Sequence, residues 1–108
     1  LAKAAIATGI DVLLAEANLS VKDLSNVMIA GGFGSHISTR HAQMIGLLPL
    51  VPVEAIRLLG NAAGKGAIIL LNTKNGKELV EDVRRGIRYI ELSSLKEFQA
   101  QFVEHLFF

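Results

Sequence analysis

Apolar and polar positions alternate in two rhythms along the chain, and the change of rhythm marks its elements. From Leu1 to about Ala17 the apolar residues Ile6, Ile10, Leu13, Leu14 and Ala17 recur at helical intervals. That spacing predicts one buried stripe, with Lys3, Asp11 and Glu16 left for water. Gly9 weakens such a helix and is expected at a close contact. Asn18 is its stop, and Ser20-Val21-Lys22-Asp23 reads as a capped short turn. The rhythm then breaks at Val27-Met28-Ile29-Ala30, four consecutive apolar residues ahead of a glycine cluster. A run of that kind predicts a short strand covered on both faces.

The second half repeats the scheme. Ser35, and Ser38 or Thr39, are candidate caps for a helix to about Ile45, with Gly46 just past its end. Leu47 to Pro52 is a proline-bearing connection, and Ala55 to Leu59 a second apolar strand ending at Gly60. Asn61 is placed to cap a helix running through Leu71. Asn75-Gly76-Lys77-Glu78 fits a hairpin turn or a helix start, and Leu79, Val83 and Ile87 at intervals of four favour the helix. Tyr89 to Leu92 is a third strand candidate, at an edge. Ser94-Leu95-Lys96-Glu97 forms a capping-box pattern before a last helix with Phe98, Phe102 and Leu106 down one face. Helices alternating with short strands imply an α/β layered fold in a single domain over residues 1–108.

Composition narrows the function more than it extends it. A chain of 108 residues, 51% hydrophobic and 19% charged, is globular, and a domain of that size buries roughly 60–70% of its unfolded surface. The net charge of +1 argues against nucleic acid as a partner. Arg84, Arg85 and Arg88 read as the solvated end of a helix. There is no cysteine, so disulfides, thiol nucleophiles and thiolate-held clusters drop out. His36, His41 and His105 show no spacing that converges with carboxylates on a metal. Apolar runs fall short of the roughly 18 residues that span a membrane, and no signal-peptide pattern is present, so a cytoplasmic protein is expected. The apolar tail Leu106-Phe107-Phe108 is expected to meet a partner or other parts of a longer chain, from which a start at Leu1 in mid-pattern also marks this one as a fragment.

Candidate chemistry concentrates at Gly31-Gly32-Phe33-Gly34, directly after the first strand. Glycines there allow positive φ and let another group approach the backbone closely. Two readings stand side by side: a tight turn without a ligand, or a strand end beneath a bound nucleotide. The small residues Ala62-Ala63-Gly64-Lys65-Gly66-Ala67 open the later helix and imply close packing, on the sheet or beside a ligand. Lys65, alone on that first turn, reads as solvated rather than phosphate-bound.

Taken together, Val27 to Gly34, Ile45-Gly46-Leu47-Leu48-Pro49, Gly60-Asn61-Ala62-Ala63, Gly66-Ala67 and the tail Glu91-Leu92-Ser93 with Phe98 and Phe102-Val103 resemble one family. They are similar to the carboxy-terminal part of the reductive activators of corrinoid proteins, ferredoxin-linked ATPases with an actin-like (sugar kinase and heat-shock chaperone) fold. The resemblance covers nearly the whole chain. It implies an actin-like, ribonuclease H-like α/β subdomain fragment with a short sheet and flanking helices. It implies that Gly31 and Gly32, with Phe33 and Gly34, belong to the adenosine motif, with Gly60 and Asn61 close to that pocket. ATP with Mg is then the cofactor of the full-length protein, and a corrinoid protein its partner, returned from cobalt(II) to cobalt(I). A [2Fe–2S] cluster would belong to an amino-terminal part outside this chain. Asp11, Asp23 and Asp82 match none of the family's metal-orienting acids, so this piece alone is expected not to hydrolyse ATP. The alternatives are a non-catalytic dimerisation or protein-binding module, a homodimer included, and part of another kinase of the same superfamily.

Overall fold

The computed structural model describes residues 2–32 and 38–107. Helix α1 (Ala2–Glu16) ends where Asn18 takes a φ of 58°, with the Leu19 N–H returning to Leu14 O at 2.8 Å. Asn tolerates that left-handed conformation, so Asn18 is the stop its type predicts. Asp23 then accepts the Ser20 N–H at 2.9 Å across the single turn Val21–Asp23. Strand β1 (Val27–Ala30) follows. Helix α2 (Thr39–Met44) is capped by Ser38, whose Oγ accepts the His41 N–H at 3.3 Å. Gly46, at φ 85°, closes it, with the Leu47 N–H on Ala42 O at 2.8 Å. Ser35, the other candidate cap, lies outside the described residues.

Strand β2 (Ile56–Gly60) pairs with β1 in parallel, in the register Val27↔Ile56, Met28↔Arg57, Ile29↔Leu58. Parallel neighbours need a crossover. Here it is α2 and the proline-bearing connection, which Gln43 holds by donating to Pro49 O at 3.0 Å and Val51 O at 2.8 Å. Helices α3 (Ala62–Leu71), α4 (Gly76–Gly86) and α5 (Lys96–His105) complete the order.

The buried core lies along α1 and is made of small residues: Ala4, Ala7, Thr8 and Val12, joined by Ala42 and Leu47. This is not the stripe that periodicity marked, because Ile6 and Leu13 stay exposed. Helix α5, from the far end of the sequence, packs on α1. Lys3 donates to His105 O at 2.7 Å and Phe107 O at 2.9 Å, Asp11 meets His105 Nε2 at 2.6 Å, and Glu16 accepts from Arg88 at 3.1 Å. All three charged residues expected to face water therefore bind the carboxy-terminal segment. A Cβ at Gly9 would lie 3.4 Å from Leu92 Cδ1, an ordinary van der Waals distance, so no tight helix contact accounts for this glycine.

Four expectations are corrected. Among the described residues the sheet has two strands; Tyr89 to Glu91 is unpaired and Leu92–Ser94 forms a single tight turn. The Ser94–Glu97 pattern makes no capping box, because Leu95 occupies the cap and Ser94 Oγ turns back to Glu91 O at 2.9 Å. β1 is not covered on both faces: Val27 and Ile29 are half-buried and Met28 is 63% exposed. The accessible surface of 8276 Å² means that only about half of the unfolded chain's surface is buried, not 60–70%. Asn75-Gly76 starts a helix rather than a hairpin. No described helix is long and apolar enough to cross a membrane.

Candidate functional site

The two glycine motifs, separate in sequence, meet at the carboxyl ends of the parallel strands. Pairing runs evenly to Ile29↔Leu58, then jumps to Ala30↔Gly60, so Leu59 is an extra residue without a partner across the ladder. Such a bulge bends its strand and raises local twist. Beyond it Gly60 adopts φ 63° and Gly31 φ 92°, and the Gly31 N–H donates to Gly60 O at 2.7 Å. Glycine takes these conformations more freely than any residue with a side chain.

Asn61 then starts α3 as its residue type predicts, its Oδ1 accepting the Gly64 N–H at 3.0 Å. The small residue at 64 has a local cause: a Cβ there would fall 2.9 Å from Asn61 Cγ. At Gly31, Gly32 and Gly60, by contrast, an added Cβ meets nothing within 4 Å. Among the described residues nothing fills the Cβ positions of these three glycines at the end of the sheet. Gly32 has no positive φ, so its own conformation does not demand glycine.

Of the predicted site residues, Gly31, Gly32, Gly60 and Asn61 come together on the two adjoining strand ends, while Phe33 and Gly34 lie outside the described residues. Lys65 was passed over by sequence reasoning. Its ammonium reaches back from the first turn of α3 to Leu59 O at 3.1 Å, beside the glycines. The signal for it was a cation at a helix start, where the dipole disfavours positive charge.

The acidic residues lie elsewhere. Asp11 is engaged by His105, Asp23 by its own turn, and Asp82 lies 3.6 Å from Arg85 along α4. Glu91 accepts from Tyr89 and Ser93. The Tyr89 hydrogen bond holds the Glu91 carboxyl below its ordinary range, and the same bond, with the carboxylate's charge, pushes the Tyr89 phenol up. A groove of about 640 Å³ runs between α3 and α4, lined by Ala63, Gly66, Ala67, Leu79, Val83 and Ile87 among others. It is apolar and shares no residue with the glycine turns.

A parallel strand–helix–strand unit with glycine turns at its carboxyl end, continued by a small-residue helix, is the architecture of an ASKHA-type α/β domain. A sequence model described as "C-terminal domain of RACo the ASKHA domain" matches residues 1–108. The chain belongs to that family. It is 36% identical over 108 residues to the corrinoid activation enzyme RamQ of Eubacterium limosum, covering 100% of this chain and 18% of that relative. A solved structure titled "Reductive activator for corrinoid,iron-sulfur protein" superposes with a TM-score of 0.83 at 36% identity, over 94% of this chain and 16% of its own. The chain therefore spans less than a fifth of the length of these relatives.

Proposed function

We propose that residues 1–108 are the carboxy-terminal subdomain of an actin-like ATPase domain in a cytoplasmic reductive activator of a corrinoid protein, and that they supply the wall beside the adenosine of ATP. Gly31, Gly32, Gly60 and Asn61 form that wall, continued by Phe33 and Gly34. The observation that carries the reading is the glycine backbone at the joined strand ends, where an added Cβ would meet none of the described residues within 4 Å. Open parallel sheets bind ligands outside the carboxyl ends of their strands. The Gly31 N–H is already used by Gly60 O, so the wall recognises a nucleoside by close approach and shape rather than through that donor.

The same residues do not fit the rest of the reaction. ATP hydrolysis needs charge stabilisation around phosphate and Mg²⁺. Asp11, Asp23 and Asp82 are each engaged away from the glycine turns, so those groups belong to other parts of the protein. With no cysteine the chain has no ligands for a [2Fe–2S] cluster. In the whole protein, nucleotide binding would assist the one-electron reduction of cobalt(II) to cobalt(I) in the corrinoid partner, and this chain's share is to hold the nucleoside.

Gly32→Val in the full-length protein tests the assignment. The site has room and an ordinary φ, so the variant keeps its melting temperature, while the β-branched side chain fills the space assigned to the nucleoside. ATP affinity falls by roughly tenfold or more, about 1.4 kcal/mol, in calorimetric titration. Unchanged affinity in the folded variant overturns the reading. A second reading, an association surface for a second copy, is favoured by the apolar α3–α4 groove. Its test is the oligomeric state of the full-length protein.

A further inference from the structure

We infer that Lys65 is a positioning residue for the nucleoside wall, an inference that rests on the adenosine-side reading above. Three observations converge on it. The extra residue of the bulge is Leu59, and it is the Leu59 carbonyl that accepts the Lys65 ammonium at 3.1 Å. The next residue is Gly60, whose φ of 63° and hydrogen bond to the Gly31 N–H join the two glycine turns. Lys65 also stands on the first turn of α3, flanked by Gly64 and Gly66, where the positive end of the helix dipole disfavours a cation. The bond to a carbonyl offsets that disadvantage, and hydrogen bonds from a charged donor are stronger than neutral ones.

The side chain acts as a strut from helix to strand. Its stem crosses from α3 to the end of β2, and its ammonium holds the bulge that sets Gly60 against Gly31. Without the strut the bulged residue loses its tie to α3, and the bare surface formed by Gly31, Gly32 and Gly60 loses its fixed shape. Lys65 is exposed, so the strut does not hold the fold itself.

The test compares Lys65→Met, which keeps the stem and removes the donors, with Lys65→Arg, which keeps a donor within reach. Adenosine and ATP affinities and the melting temperature are measured on the full-length protein. Lys65→Met lowers affinity for both ligands by the same factor, roughly three- to tenfold, with an unchanged melting temperature, and Lys65→Arg restores it. Equal affinities in the Met variant overturn the inference. A loss confined to ATP also overturns it, since that marks a phosphate contact, and a matching fall in melting temperature marks a purely structural role. If the unaltered protein binds neither adenosine nor ATP, the adenosine-side reading fails and this inference falls with it. Binding by the unaltered protein that Lys65→Met leaves intact removes only the role of Lys65.

Discussion

Gly60 and Gly32 both belong to the proposed wall, yet their backbones make different demands. Gly60 carries φ 63°, where an L side chain is strained whatever the surrounding space. Replacing it by alanine costs about 1–2 kcal/mol, the penalty of the left-handed region, and replacing it by asparagine costs less. Chemical denaturation of the full-length protein reads both, and equal stability of Gly60→Ala and the parent would show that the turn relaxes freely. Gly32 has no positive φ, and among the described residues an added Cβ there would meet nothing within 4 Å, so neither backbone strain nor crowding by those residues demands glycine. On the proposed reading the demand for glycine there comes from the nucleoside, which is why Gly32→Val separates ligand binding from folding.

At the scale of elements, α1 shows how a helix with apolar residues on two sides is resolved by its partner. The large residues at Ile6, Ile10, Leu13 and Leu14 make the stronger pattern, but the buried positions are the small ones at Ala4, Ala7 and Thr8, and α5 packs on the helix. Two polar ties then hold the pair, both at the carboxyl end of α5: Asp11 on the His105 ring and Lys3 on the main chain. Its ammonium satisfies the His105 and Phe107 carbonyls, groups that a helix end leaves without intrahelical partners. Lys3→Met lowers stability by about 1 kcal/mol and speeds amide exchange over the last turn of α5. Exchange rates unchanged from residues 101 to 107 would show that packing alone holds the turn.

The whole molecule is spread more widely than a closed domain of its length. Its radius of gyration is 16.0 Å, against about 13 Å for a compact domain of 108 residues. Its surface of 8276 Å² exceeds the roughly 5,800 Å² of a folded monomer of this mass. Helix α3 is apolar on nearly every side, yet Ile69 is 58% and Leu71 86% exposed. A helix of that composition belongs inside a larger body. The relatives, more than five times longer, have chain enough to enclose it. We therefore expect Ile69→Asp to destabilise the full-length protein by more than about 2 kcal/mol, the mark of a charge forced into a core. Unchanged stability with a dimer converted to monomer would support the second-copy reading instead. A variant altered in neither respect would leave α3 uncovered in the whole protein and overturn both.

Local chemistry was legible in the sequence wherever its cause lies within a few residues. The stop at Asn18, the cap at Ser38, the close of α2 at Gly46 and the start of α3 at Asn61 follow from backbone conformation and short-range hydrogen bonds. The ordered glycine motifs were legible too, and with them the family. One failure was itself local, a choice between two short-range bonds, and the others came from contacts made across the fold. The apparent capping box at Ser94 lost to a competing bond with the Glu91 carbonyl, and Tyr89 to Leu92 has no strand to pair with among the described residues. Which face of α1 is buried and where Lys3, Asp11 and Glu16 point depend on residues brought together from distant parts of the chain. So does the meeting of Gly31 with Gly60. Conformational preference is a property of neighbours along the chain, whereas burial and cross-chain hydrogen bonds belong to the packed structure, and only the tertiary fold decided them.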